Sequence, residues 1–242
     1  MTTKSLSFEK RLISGVKKKW ISFLSSQFDK NYFLVCLKRI KLNYSQTVCC
    51  PPIAKIFLPL KVVSPHQIRV IILGQDPYPD CQITSGIAFD VLDYKKNLPY
   101  SLRLLMKKTS RDLAVPFLKV VKNLRLRNWL EQGVFIWNIV PTVTSGLPLS
   151  HHVLGWEKFS CELIRFILNN FSEIPVVVIG SYAKKWLEQE KVQPLNCLFL
   201  PHPAGIRYNP LLAAKFFNIN FFRWIEEKLP QRSKGTIKWL NH

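Results

Sequence analysis

I-I-L-G-Q-D-P-Y-P-D, residues 71–80, joins a buried-strand signal to a constrained acidic loop. The run Ile68–Leu73 is apolar and β-branched, with Arg69 as its only charge, and reads as a buried strand. It breaks at Gly74 into a loop that sets Asp76 between Gln75 and two prolines. Pro77 fixes its own φ and drives Asp76 toward extended geometry, so the carboxylate is held in place. A rigidly displayed acid at a strand exit suits a catalytic base. The plain alternative is a polar loop whose Asp caps its own turn.

Three further apolar runs have the same character. They are Val134–Asn138, Val176–Gly180 and Leu198–Pro201, separated by helical patterns. Leu124, Leu126, Trp129 and Leu130 mark a helix before the second run, and Trp156, Phe159, Leu163 and Phe166 or Ile167 lie on one face of a helix over 155–170. Residues 16–42 read as helical, another helix starts near Ser181, and a last one covers 210–228. Strands alternating with helices imply an α/β fold: one domain with a central four-stranded, mainly parallel twisted sheet flanked by helices. Ligands of such sheets bind beyond the carboxyl ends of the strands. Those ends carry Gln75, Asp76 and Tyr78, then Asn138, then Gly180 and Ser181, then His202. A base, an amide, a small hydroxyl and an imidazole are thus expected on one rim.

The chain has 242 residues, 48% of them hydrophobic, enough for one sizeable core. Its net charge is +20, from 35 Lys and Arg against 15 Asp and Glu. A globule this basic attracts polyanions, and nucleic acid is the expected partner, although a solvated basic face is the simpler alternative. Residues 1–41 hold ten basic and two acidic residues, and residues 1–18 read as a flexible basic extension. No apolar stretch approaches the roughly 18 residues that span a bilayer. The first twenty residues lack the apolar core of a secretory signal. An organellar transit peptide is disfavoured by Glu9 but leaves mitochondrial targeting open. The protein therefore reads as intracellular, in the nucleus or another DNA-containing compartment. Cys36, Cys49, Cys50, Cys81, Cys161 and Cys197 form no C-x-x-C pair, so reduced, mostly buried thiols are expected, with no metal and no cofactor.

In order along the chain stand G-Q-D-P-Y (74–78), G-I-A-F (86–89), F-I-W-N (135–138), S-H-x-x-L-G-W (150–156), G-S (180–181) and H-P (202–203). This set resembles the main, metal-free family of uracil-DNA glycosylases, and weaker echoes at Trp20, Pro51–Pro52 and Ile237–Trp239 extend the likeness over nearly the whole chain. Residues 19–242 would then be the glycosylase-like domain. The resemblance implies that Asp76 activates the water attacking deoxyribose C1′ and that His202 stabilises the departing uracil anion. It implies that Asn138 reads the uracil edge, Phe89 stacks on its face, Gln75 completes the pocket with backbone groups, and Tyr78 blocks a thymine methyl. Pro99 and Ser101 in P-Y-S-L, with Gly180 and Ser181, align with DNA-gripping loops; helix capping is the alternative for both serines. The implied partner is uracil-containing DNA, single- or double-stranded, with replication or repair proteins as further partners and a monomeric state.

Two departures stand out. The family's H-P-S-P-L loop is H-P-A-G-I-R here, so Ala204 and Gly205 replace Ser-Pro, Ile206 aligns with the wedge that fills the emptied stack, and Arg207 follows it. Slower extrusion from duplex than in a typical member is the expectation, with Arg207 offsetting the lost hydroxyl at a phosphate. Pro79 stands where most members have His. Both changes occur in some large-DNA-virus relatives and suggest a viral or otherwise divergent member. His151 and His152 read as structural, with His151 the better candidate to assist the site. The competing function is a DNA-binding or polymerase-associated accessory protein with secondary catalysis. Intact Asp76, Asn138 and His202 argue against it, and the absence of G-x-G-x-x-G argues against a dinucleotide-binding protein.

Overall fold

The computed structural model describes residues 7–207, 209–233 and 235–241. Among the described residues six strands occur in chain order: β1 (Cys49–Cys50), β2 (Val70–Gly74), β3 (Val134–Asn138), β4 (Val143–Thr144), β5 (Val176–Ile179) and β6 (Cys197–Leu200). Four of them form a wholly parallel sheet in the order β3-β2-β5-β6, with helices packed around it. Every residue of β2, β3 and β5 is buried, which is why these strands read as unbroken apolar runs. β1 and β4 make a small antiparallel ribbon, Cys49 opposite Thr144 and Cys50 opposite Val143.

Aromatic residues fill one side of the core. Phe159 stacks on Phe33 at 4.6 Å and on Phe57 at 5.3 Å. The buried indoles all find acceptors: Trp20 on the Val63 carbonyl (2.7 Å), Trp137 on Ser160 (2.8 Å), Trp156 on Thr142 (2.7 Å) and Trp129 on the Trp239 carbonyl (2.8 Å). The Trp20 and Trp239 motif echoes are therefore packing positions.

Two long helices expected from periodicity are broken. The 16–42 stretch divides at Asp29–Lys30 into Ile21–Phe28 and Asn31–Gln46, and the turn brings Phe28 edge-on to Phe33 at 5.3 Å. The 210–228 stretch divides into Pro210–Asn218 and Phe221–Lys228. The second break serves a buried charge. Lys108, on the helix Tyr100–Asp112, is fully buried; its ammonium lies 3.0 Å from Asp112 and 2.5 Å from the Ile219 carbonyl. Ending a helix there frees that carbonyl, and Asn220 caps the next helix through Arg223 N (2.9 Å).

The basic stretch 1–18 lies outside the described residues up to residue 6. From Ser7 on it is packed: Phe8–Ile13 is a helix, with Phe8 and Leu12 buried. The expectation of reduced thiols is corrected at one pair. Cys50 and Cys81 form a disulfide with Cα atoms 5.1 Å apart, tying the β1–β4 ribbon to the loop that follows Asp76. Adjacency of Cys49 and Cys50 hid this pairing, because the partner is 31 residues away and meets Cys50 only in the fold. Closing a loop of that length stabilises by about 3 to 4 kcal/mol on the chain-entropy estimate. Cys81→Ser, or reduction, is expected to lower the melting temperature by roughly 6–16 °C. Equal melting temperatures with and without reductant would show the thiols unjoined in solution.

Candidate active site

The parallel register sets Gly74 beside Asn138 at the carboxyl ends of β2 and β3. The pairing continues past the strands, with Ile139 N donating to the Gly74 carbonyl (3.0 Å) and Val140 N to the Gln75 carbonyl (2.9 Å). Gly74 has no room for a side chain: a Cβ there would lie 2.5 Å from Asn138 Oδ1 and 3.0 Å from the Phe89 ring. The bare backbone lets amide and aromatic ring meet. Phe89 itself has φ +63°, a left-handed conformation uncommon for a bulky residue. Its ring lies 6.4 Å from that of His202, tilted by 36°. His202 follows β6 and packs over Gly180, which has φ +107° and where a Cβ would stand 3.2 Å from the His202 Cβ. Four strand ends thus converge, through Gly74, Phe89 and Gly180, on one place.

The chemistry of each group follows from its contacts. Asn138 is only 7% exposed, and among the described residues nothing hydrogen-bonds its side-chain amide. A nearly enclosed amide without a protein partner is an open recognition group. His202 Nδ1 accepts from Ala204 N at 3.2 Å, and burial lowers the imidazole pKa. The ring is therefore neutral with its proton on Nε2, a donor. Asp76 Oδ2 accepts from Leu149 N at 2.9 Å. Burial raises the Asp76 pKa, while the Leu149 amide and His152 oppose that rise. Tyr78 donates to the Phe89 carbonyl (3.1 Å), and Ser101 Oγ lies 2.9 Å from its phenolic oxygen. With the single phenolic hydrogen given to Phe89, Ser101 is the donor to Tyr78.

Several expected DNA contacts are placed differently. Ser101 shares a hydrogen bond with Tyr78 and braces that ring. Pro99 is the residue before its helix. Ile206 is buried at 7% exposure in the short helix Pro203–Ile206, which packs on Tyr100–Asp112, and does not project as a wedge. An apolar side chain on that turn gains more by covering the core than by facing water. Ala204, Gly205 and Arg207 are exposed, and the Arg207 guanidinium lies 5.9 Å from the Tyr100 ring. Leu211, 80% exposed in the first turn of Pro210–Asn218, is the projecting apolar side chain nearby. Ser181 is exposed at the start of the helix Ser181–Gln189. It borders a groove of about 270 Å³ lined by Gly180, Lys184, His202, Leu212 and Lys215.

The two adjacent histidines have different surroundings. His151 is fully buried between Thr142 Oγ1 (2.8 Å) and Thr144 Oγ1 (3.0 Å), and burial pushes its pKa down to about 4. Burial lowers the His152 pKa, and the Asp76 and Glu157 carboxylates oppose that fall. Sequence reading also missed the Leu149 amide on Asp76 and the Glu157–Tyr182 pair beside His152, since none belongs to a motif with an obvious chemical role.

Comparison with known proteins agrees with this geometry. The sequence model of the Uracil DNA glycosylase superfamily matches residues 60–229. The uracil-DNA glycosylase of Buchnera aphidicola subsp. Baizongia pistaciae is 32% identical over 91% of this chain and 96% of its own. That of Idiomarina loihiensis is 32% identical over 91% and 99%. Among solved structures, the mimivirus uracil-DNA glycosylase shares the fold with a TM-score of 0.78 at 23% identity, over 97% of this chain and 89% of that one. By family profile, curated relatives and fold alike, this chain belongs to the uracil-DNA glycosylase superfamily and is a DNA glycosylase.

Proposed function

We propose that the protein hydrolyses the bond between uracil and deoxyribose in DNA, the uracil-removing step of base excision repair. One observation carries the reading: the unpartnered Asn138 amide, the Phe89 ring and the His202 imidazole, from three separate segments, meet where Asp76 leaves β2. Uracil stacks on Phe89 with its edge on Asn138. As the glycosidic bond breaks, positive charge grows on the sugar and negative charge on the base. Asp76 opposes the first and directs water to C1′; His202 Nε2–H opposes the second at uracil O2. Asp76 Oδ2 is held by Leu149, which leaves the other carboxylate oxygen for the water.

Specificity follows from the same groups. Cytosine presents the wrong edge to Asn138, and a polar site left unpaired can discriminate by about 10⁴-fold. A methyl in a yielding pocket changes binding by only about 1–3 kcal/mol, so thymine exclusion needs a stiff wall. Tyr78 is stiff: prolines flank it and both Phe89 and Ser101 fasten its hydroxyl. Tyr78→Ala is expected to release thymine from DNA that the wild type leaves intact, measured as free base by chromatography. An unchanged preference in that variant contradicts the assignment.

The +20 charge and the basic groove beside Ser181 draw the phosphate backbone, so binding weakens steeply with salt. In duplex DNA the target must leave the stack. With Ile206 buried, a rearranged 203–207 turn or the exposed Leu211 would fill the emptied place. Cleavage of duplex is expected to be slower than that of single strands under single-turnover conditions; equal rates would remove this element. The whole reading is tested by incubating the protein with uracil-containing DNA in chelator and assaying free uracil and alkali-labile sites. No uracil release would favour a DNA-binding accessory role.

A further inference from the structure

The helix Tyr100–Asp112 starts at the wall of the uracil pocket and leads away from it. Ser101 Oγ lies 2.9 Å from the Tyr78 phenolic oxygen, and Tyr78 donates to the Phe89 carbonyl. The short helix that follows His202 packs on the same helix, with the Arg207 guanidinium 5.9 Å from the Tyr100 ring. Tyr100 therefore stands between the Tyr78 wall and the His202 turn, with 40% of its surface open. Only Tyr100, Arg103, Lys107 and Arg111 are exposed on this helix. At 100° per residue, spacings of three, four and four place them within an arc of about 80°. Leu102, Leu105, Met106 and Thr109 are buried on the opposite side. One aromatic ring thus heads a row of three cations that extends about 16 Å from the pocket.

The charge of that row is uncompensated. Three other helices pair an exposed cation with a glutamate one turn on: Arg127 with Glu131 (2.8 Å), Lys184 with Glu188 (3.3 Å) and Arg223 with Glu227 (2.8 Å). Tyr100–Asp112 contains no glutamate, and its one acid, Asp112, is spent on the buried Lys108. Among the described residues, none of Arg103, Lys107 and Arg111 has a carboxylate within ion-pair distance. Their i, i+4 spacing sets like charges against one another, which costs helix stability. A polyanion lying along the face removes that cost.

We propose that this face is a track for the single DNA strand flanking the uracil, in which a neighbouring base stacks on Tyr100 and Arg103, Lys107 and Arg111 hold the phosphates beyond it. The proposal rests on uracil-containing DNA being the substrate. A stacking ring followed by a row of cations suits single strands of any sequence, because every base has a flat face and every nucleotide a phosphate. A protein partner would need apolar surface to bury, and Tyr100 is the only large apolar side chain exposed on this helix. A strand with a rise of about 3.4 Å per nucleotide covers the row in about five nucleotides, and a stretched strand in fewer.

Fluorescence anisotropy on single-stranded oligonucleotides, with one flank of the uracil lengthened at a time, tests this by affinity alone. The expected wild-type result is a gain of about 10-fold or more as one flank grows to about five nucleotides, and a smaller gain for the other flank. Replacing Arg103, Lys107 and Arg111 together by Gln should abolish that gain. It should also lower the slope of log Kd against log salt by about 2, three phosphates at about 0.7 each. Lys17, Lys18 and Lys19, all exposed, serve as the control: Lys19 borders a cleft with Pro65 and His66, ahead of β2 and so at the other end of the sheet. Changing those three to Gln removes equal charge and should leave the flank gain in place. Tyr100→Ala is expected to weaken binding by about 5- to 50-fold, and Tyr100→Trp by less than about three-fold. A triple variant that behaves like its control, or Tyr100→Trp as weak as Tyr100→Ala, overturns the proposal. All these side chains are exposed, so melting temperatures should match the wild type. A wild type that releases no uracil removes the proposed function while the binding arms still decide this one. An active wild type indifferent to flank length removes only this one.

Discussion

Replacing Asp76 by asparagine is expected to lower kcat for uracil release by at least about 10²-fold and, at neutral pH, to raise the melting temperature. The first effect follows from removing the carboxylate that leaves β2 at the rim where β3 and β6 also end. Asparagine keeps an oxygen for the Leu149 amide, so the loop stays in place while the negative charge is lost. The second effect follows from the direction of the pKa shift. Burial raises the Asp76 pKa in the folded protein above its ordinary value. Above the folded-state pKa the carboxylate is charged in both states and its burial penalises the fold; below the unfolded-state value it is neutral in both, and the penalty vanishes. The stabilisation by Asp76→Asn should therefore be present at pH 7–8 and shrink as pH falls through the raised pKa, as scanning calorimetry at several pH values would show. A variant both inactive and less stable at neutral pH would mean that Asp76 is a structural loop residue.

His202→Leu is expected to lower kcat by about 10²- to 10³-fold with little change in KM, the usual effect of removing one donor to a developing anion. Because His202 Nδ1 already accepts from Ala204, the donor is a neutral Nε2–H and needs no added proton. Burial lowers the His202 pKa, so the ring gains charge only below the ordinary imidazole range. The wild-type rate should rise with pH through the raised Asp76 pKa and then stay flat across pH 6.5–8, where a cationic imidazole would lose its proton. A fall in kcat across that window, absent in the variant, would contradict the neutral assignment.

The sheet was legible because its strands are buried on both faces and so appear as continuous apolar runs, each ending on a polar residue. Asp76, Asn138 and His202 could be placed on one rim from strand order alone. What sequence could not show depends on contacts between distant segments. The break between Asn218 and Phe221 answers to Lys108, more than a hundred residues earlier, whose buried ammonium needs the Ile219 carbonyl. Cys81 finds Cys50 only once the β1–β4 ribbon lies against the Asp76 loop. Ser101 matched a phosphate-gripping motif, and only the fold shows that its hydroxyl also bonds Tyr78. Ile206 occupied the wedge position by alignment, but a one-turn helix rotated it inward. His151 and His152 are neighbours with opposite surroundings, two threonines for one and Tyr182 for the other. No periodicity separates adjacent residues on a turn.

The account's central claim is that an acid and an imidazole address one extruded uracil. A crystal structure of the protein with abasic DNA and uracil retained tests it most directly. The predicted result places the base against the Phe89 ring, with Asn138 and His202 Nε2 about 2.7–3.2 Å from its edge atoms and Asp76 facing C1′ of the sugar. Uracil bound away from Asn138, or Asp76 and His202 opening into separate cavities, would contradict it.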